Sequence, residues 1–156
     1  MKKSAIFYLS AFFFLIFIVS GAVYYENKIK SNSLSSYGNT TTEIRLGGEN
    51  FKVEIVSTPA KRELGLSGRP DLCRNCAMLF VFGRAGDYPF WMKDMRFDLD
   101  IVWIDGSSIK YIKRDASAVL GTREIINPGT MADKVIEINS GLSDALGIKV
   151  GDKVSF

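Results

Sequence analysis

Histidine is absent from all 156 residues. Its absence removes the commonest general base, the commonest metal ligand and every catalytic triad built on imidazole. Cysteine occurs only twice, as Cys73 and Cys76, so a four-cysteine zinc site within one chain is excluded as well. There is no strong excess of one charge: the formal net charge is +3, and setting aside Lys2 and Lys3 leaves 18 basic against 17 acidic residues, a balance of +1. That balance does not recommend a nucleic acid as partner, which asks for a basic face. No glycine-rich phosphate loop and no internal repeat are present, and nothing in the motifs calls for a metal or an organic cofactor.

Charge is also missing from Ser4 to Tyr25. As a helix this stretch would rise about 33 Å, enough to cross the hydrocarbon core of a bilayer. Lys2 and Lys3 precede it, which places the N-terminus in the cytoplasm and the rest of the chain outside. Ser20-Gly21-Ala22 carries small residues at a spacing that suits signal peptidase, so secretion after cleavage near Ala22 is the other reading. Residues 1–27 are therefore expected to form a single-pass anchor or a signal segment, with residues 4–25 in the membrane. Lys28 to Thr42 is rich in Ser, Asn and Thr and poor in apolar residues, so it reads as a flexible linker.

The expected extracytoplasmic domain spans 43–156. Alternation on either side of Gly47-Gly48 predicts a hairpin of Ile44–Leu46 with Phe51–Val56. Thr58-Pro59 supplies an N-cap and a first-turn proline for a short helix ending near Gly65 or Gly68. The centre of the chain is Met78 to Asp105, where the apolar runs Met78–Phe82 and Leu99–Ile104 flank a loop with Pro89, Phe90, Trp91, Met92 and Lys93. Ile109–Ile112 is expected to pair back on Leu99–Ile104. Val135–Ile138 and Lys153–Phe156 complete the strands, with a helical turn or two at Ser140–Leu146. The fold expectation is mostly β with two short helices, a small antiparallel barrel or sandwich, preceded by one N-terminal transmembrane helix.

The ordered series Arg62-x-x-Gly65-Leu66-x-x-Arg69, Met78-Leu79-Phe80-Val81-Phe82, Phe90-Trp91-Met92-Lys93, Leu99-Asp100-Ile101, Val135-Ile136-Glu137-Ile138 and Gly147-Ile148-x-x-Gly151-Asp152 resembles the domain of unknown function 192 family. The resemblance covers roughly Phe51 to Phe156. It implies a compact β-rich domain in an exported or membrane-associated prokaryotic protein, and no defined activity. Ala77 stands where the family usually has Gly, and Asp98 where it often has Pro.

Three groups carry candidate chemistry. Cys73 and Cys76 in an exported domain are expected to form a local disulfide, with redox chemistry or an intersubunit metal as other uses. Asp98 and Asp100, two apart at a strand entrance, are the candidate acid and base, or else pair with nearby cations. Trp91 and Met92, with Lys93 and Arg69 to hold an anionic group, are the candidate ligand-binding residues. Two functions follow: a tethered binding or accessory module that engages an envelope ligand or protein, or a hydrolase or lyase that uses Asp98 and Asp100 on a cell-envelope polymer.

Overall fold

Apolar residues at every second position around the two-glycine turn fold Thr41–Leu46 (β1) and Glu49–Val56 (β2) into the expected hairpin, with Ile44 opposite Phe51. The computed structural model describes residues 41–156. The expected anchor over residues 4–25 and nearly all of the linker lie outside the described residues. Among the described residues no helix is long and apolar enough to cross a membrane.

Thr58 caps the next element as anticipated, its Oγ1 accepting the Lys61 N–H at 3.3 Å. Pro59–Leu64 (α1) ends at Gly65, whose φ of 51° no side chain adopts without strain. The chain then returns to Cys76–Gly86 (β3), which lies parallel to β2. A parallel neighbour needs a crossover of a dozen or more residues, and the segment 57–75 with α1 inside it provides one. The remaining strands are Phe90–Trp91 (β4), Leu99–Asp105 (β5), Ser108–Ala116 (β6), Ile125–Ile126 (β7) and Ala132–Asn139 (β8). A 3-10 turn, Gly121–Arg123, and a short helix, Leu142–Ala145 (α2), join them. Six strands form one mixed sheet in the order β1-β2-β3-β8-β5-β6, and β4 pairs with β7 in a separate two-stranded ribbon.

This sheet is not closed into a barrel, and the parallel β2–β3 pair makes it mixed, which corrects the expected antiparallel barrel or sandwich. Its edge strands β1 and β6 do not pair with each other. The C-terminal segment lies between them instead. Arg45 and Ser155 exchange both backbone hydrogen bonds, at 2.8 and 3.0 Å, while Ile109 N–H donates to Asp152 O at 3.0 Å and Val154 N–H to Ser107 O at 2.9 Å. The expected final strand Lys153–Phe156 is thus a pair of isolated bridges, because so short a segment touches each edge at one place only.

The strict alternation of β5 and β8 divides the core. Val102, Ile104, Ile136 and Ile138 point to one face, with Ile44, Phe51, Leu79 and Val154. Leu99, Ile101, Trp103 and Val135 point to the other, with Met78, Phe80 and Met92. Both faces of the central strands are buried, so a polar residue on either must find a partner or a use.

Candidate functional site

A cavity of about 270 Å³ opens on the second face, between the C-terminal end of α1, strand β3 and the loop from Tyr88 to Met95. Its walls are aromatic. Phe80 meets Phe90 edge-on at 4.9 Å, and Phe82 stacks on Tyr88 with ring centres 3.7 Å apart. Gly65 is part of the wall because a Cβ there would lie 3.3 Å from Phe80 Cζ, so glycine lets the ring close against the helix end. The loop is fixed from below by Trp103, whose indole Nε1–H donates to Tyr88 O at 2.8 Å and whose ring sits 5.4 Å from Phe90.

Several of the polar groups around this cavity are committed to backbone carbonyls. Arg62 donates to Val81 O at 3.0 Å and to Ser57 O, and its guanidinium lies 4.9 Å over the Phe82 ring. Ser67 Oγ donates to Lys93 O at 2.8 Å, and Tyr88 OH donates to Arg84 O at 2.9 Å. Glu137 is not one of them. It lies in β8 between Met78 of β3 and Ile101 of β5, is 5 % exposed and lines the cavity, and its buried Oε2 has no hydrogen-bond partner. Burial pushes its carboxyl up to about 8, against the opposing pull of the Arg69 charge. Glu137 is therefore a neutral acid at pH 7 in an apolar wall, able to donate one hydrogen bond or to meet a cation.

The residues singled out from the sequence separate on this geometry. Trp91 lines the cavity at its rim, 48 % exposed, and its backbone pairs with exposed Ile125. Met92 is buried in the core, and Lys93 is exposed, outside the lining of the cavity. Arg69 makes a bidentate pair with Glu54 at 2.8 and 2.9 Å and does not line the cavity either. Asp100 is fully buried on the opposite face of the sheet. It accepts from Asp115 N–H at 3.0 Å, from Ser143 N–H at 2.8 Å and from Ser143 Oγ–H. Asp98 is exposed and accepts the Ala118 N–H at 2.7 Å. Neither aspartate lines the cavity: Asp100 binds backbone N–H groups of β6 and α2, and Asp98 one just beyond β6.

Cys73 and Cys76, the first residue of β3, are joined as a disulfide with Cα atoms 5.1 Å apart. Asn139 Nδ2 donates to Leu72 O at 3.1 Å and to Cys73 O at 3.0 Å, which ties the disulfide loop to β8 on the Glu137 face. Among the described residues no group of three or more Cys, Asp and Glu side chains is placed to hold a metal ion.

Comparison with known proteins fits this picture. The model of DUF192, described as an uncharacterised family, matches residues 42–156. The chain belongs to the DUF192 family. No curated protein matches it at a significant level. Among solved structures it is similar to a protein of unknown function from Novosphingobium aromaticivorans DSM 12444, with 27% identity and a TM-score of 0.69 over 74% of this chain and 85% of the other. It is also similar to a Sinorhizobium meliloti 1021 protein described as a "putative transcription regulator", with 27% identity and a TM-score of 0.67 over 72% and 89% of the two chains.

Glu137 was the functional candidate that reading the sequence passed over. Its signal was present: a carboxylate inside Val-Ile-Glu-Ile, a run apolar enough to be a central strand buried on both faces. A charge in such a run calls for an explanation in the same way that a histidine would.

Proposed function

We propose that this DUF192 member is a membrane-tethered extracytoplasmic binding module of the cell envelope, and that the aromatic cavity is its binding site. The observation that carries this reading is a buried carboxyl without a partner in the wall of a cavity lined by Phe80, Phe82, Tyr88, Phe90 and Trp91. Binding sites commonly combine such an apolar concavity with a few unpaired polar groups that set orientation. The hydrolase alternative draws no support from Asp98 and Asp100, whose oxygens accept backbone N–H groups away from the cavity. The regulatory description attached to the Sinorhizobium meliloti protein is a weak guide here, since the near-even charge balance offers no excess of cations for a phosphate backbone.

The test has two arms. Alkaline phosphatase fused to the C-terminus of the full chain is expected to be active in cells, and an inactive fusion would overturn the extracytoplasmic location. Titration of benzylamine and benzyl alcohol into the full chain in phosphatidylcholine nanodiscs is expected to show saturable binding of at least one of them. Trp91→Ala should weaken it about tenfold, the loss expected of an aromatic contact. Binding untouched by Trp91→Ala, or absent for both compounds, would remove the cavity as the site.

A further inference from the structure

We infer that the cavity selects a small organic amine, held as its ammonium by the Glu137 carboxylate and by the faces of the surrounding aromatic rings. The inference rests on the binding reading above and deepens it to a ligand class.

Three observations point to a cation. First, Glu137 Oε2 is enclosed with no donor aimed at it, whereas Ser67 and Tyr88, which line the same cavity, already spend their hydroxyl donors on backbone carbonyls. An arriving ligand must bring the donor itself. Second, the cavity is lined by aromatic rings, whose negative quadrupoles attract cations more strongly as water is removed. The cavity already holds one such contact, with the Arg62 guanidinium over Phe82. Third, the cation whose charge acts on the carboxyl, Arg69, is held in a bidentate pair by the Glu54 carboxylate. An anionic ligand entering this wall would face the Glu137 carboxyl. The volume of about 270 Å³ suits one ring-sized apolar body with a short aminoalkyl arm.

Proton balance follows from the chemistry. Before binding, the carboxyl is held protonated by burial against the pull of the Arg69 charge; Arg62, Glu63 and Tyr88 line the same cavity, and its strand neighbours Met78 and Ile101 are apolar. When R–NH3+ enters, the Glu137 O–H bond breaks, the proton leaves to solvent, and the carboxylate accepts N–H hydrogen bonds from the ammonium. Bonds and charges are conserved, and each binding event releases one proton.

Benzylamine, benzyl alcohol and benzoate share one shape and carry positive, zero and negative charge. Titrated into the full chain in phosphatidylcholine nanodiscs at pH 7, with empty nanodiscs subtracted, benzylamine is expected to bind at least about tenfold more tightly than either of the others. Calorimetry in two buffers of different ionisation heat should show release of about one proton with benzylamine and none with benzyl alcohol. Glu137→Gln, which keeps the shape of the protonated acid, should lose the benzylamine preference and the proton release while retaining benzyl alcohol. Equal binding of the amine and the alcohol, or no proton released, would overturn the amine inference and leave the binding site standing. Preference for benzoate would overturn it as well. If none of the three binds, the binding reading falls with it. The wild-type comparison and the proton count decide the matter even if the Gln variant does not fold.

Discussion

Asp100 and Glu137 sit one register step apart on neighbouring strands, Asp100 opposite Ile138 and Glu137 opposite Ile101, and both are buried, yet their surroundings are opposite in kind. On its face Asp100 meets three donors, from Asp115 and Ser143, that join β5 to the end of β6 and to α2. On the other face Glu137 Oε2 meets none and borders a cavity. A buried carboxyl with a full set of donors organises a fold; one left without them costs stability and stays in place where a ligand supplies the missing partner. Sequence motif alone does not separate these two surroundings, and Leu-Asp-Ile in a loop-flanked strand is more conspicuous than Ile-Glu-Ile.

The largest effect expected from this contrast is at Asp100. Asp100→Ala strands two backbone N–H groups and a hydroxyl in the core, and should cost about 2 to 5 kcal/mol in urea unfolding of the described domain. A cost below about 0.5 kcal/mol would mean that the network is not structural and would return Asp100 to the list of functional candidates.

Next is the disulfide, which anchors the end of the crossover on the Glu137 face. Closing so short a loop contributes about 2 kcal/mol by chain entropy, so reduction, or Cys73→Ser with Cys76→Ser, should lower stability by that amount. It should also leave the Asp100 network intact, which amide hydrogen exchange at Ser143 would report. Full alkylation of both thiols in unreduced protein taken from cells would contradict an oxidising location.

The smallest effect per step is the pH dependence of Glu137. Its carboxyl is raised from 4.5 to about 8 in the folded protein. Below pH 4.5 the acid is protonated in both states; between 4.5 and 8 the native protein keeps a proton that the unfolded chain has released, so its contribution to stability falls as pH rises and is lost above about 8. The difference in unfolding free energy between wild type and Glu137→Gln should change by up to about 1.4 kcal/mol per pH unit in that window. A flat difference would place the carboxyl in contact with solvent or with a donor, and the contrast with Asp100 would close.

How much of this was legible beforehand depends on the range of the interaction. The β1–β2 hairpin, the Thr58 cap, the β5–β6 pair and the α2 turn are set by neighbours a few residues apart, and alternation, proline and glycine announce them. The parallel β2–β3 pairing was not announced, because a buried apolar strand reads the same whichever way its partner runs. Trp91, singled out from its place in an aromatic loop, lines the cavity. The partners of the aspartates were not legible because they are remote: Asp100 bonds Ser143, 43 residues on, and no local pattern names that residue. Glu137 became conspicuous only once β8 was seen to lie between β3 and β5.

The strap made by the last residues has a consequence for how molecules of this kind meet one another. By giving Arg45 on one edge and Ser107 and Ile109 on the other something to bond, it occupies parts of two strand edges that are otherwise free to accept a foreign strand. These edges belong to different strands, so a copy that lost the strap would offer β1 to the β6 of its neighbour, and that neighbour would offer β1 onward in turn. Such a head-to-tail contact has no reason to close on itself and grows into a filament. The last few residues thus cover part of both strand edges, and a proteolytic cut near Gly151 would expose them to a neighbouring copy.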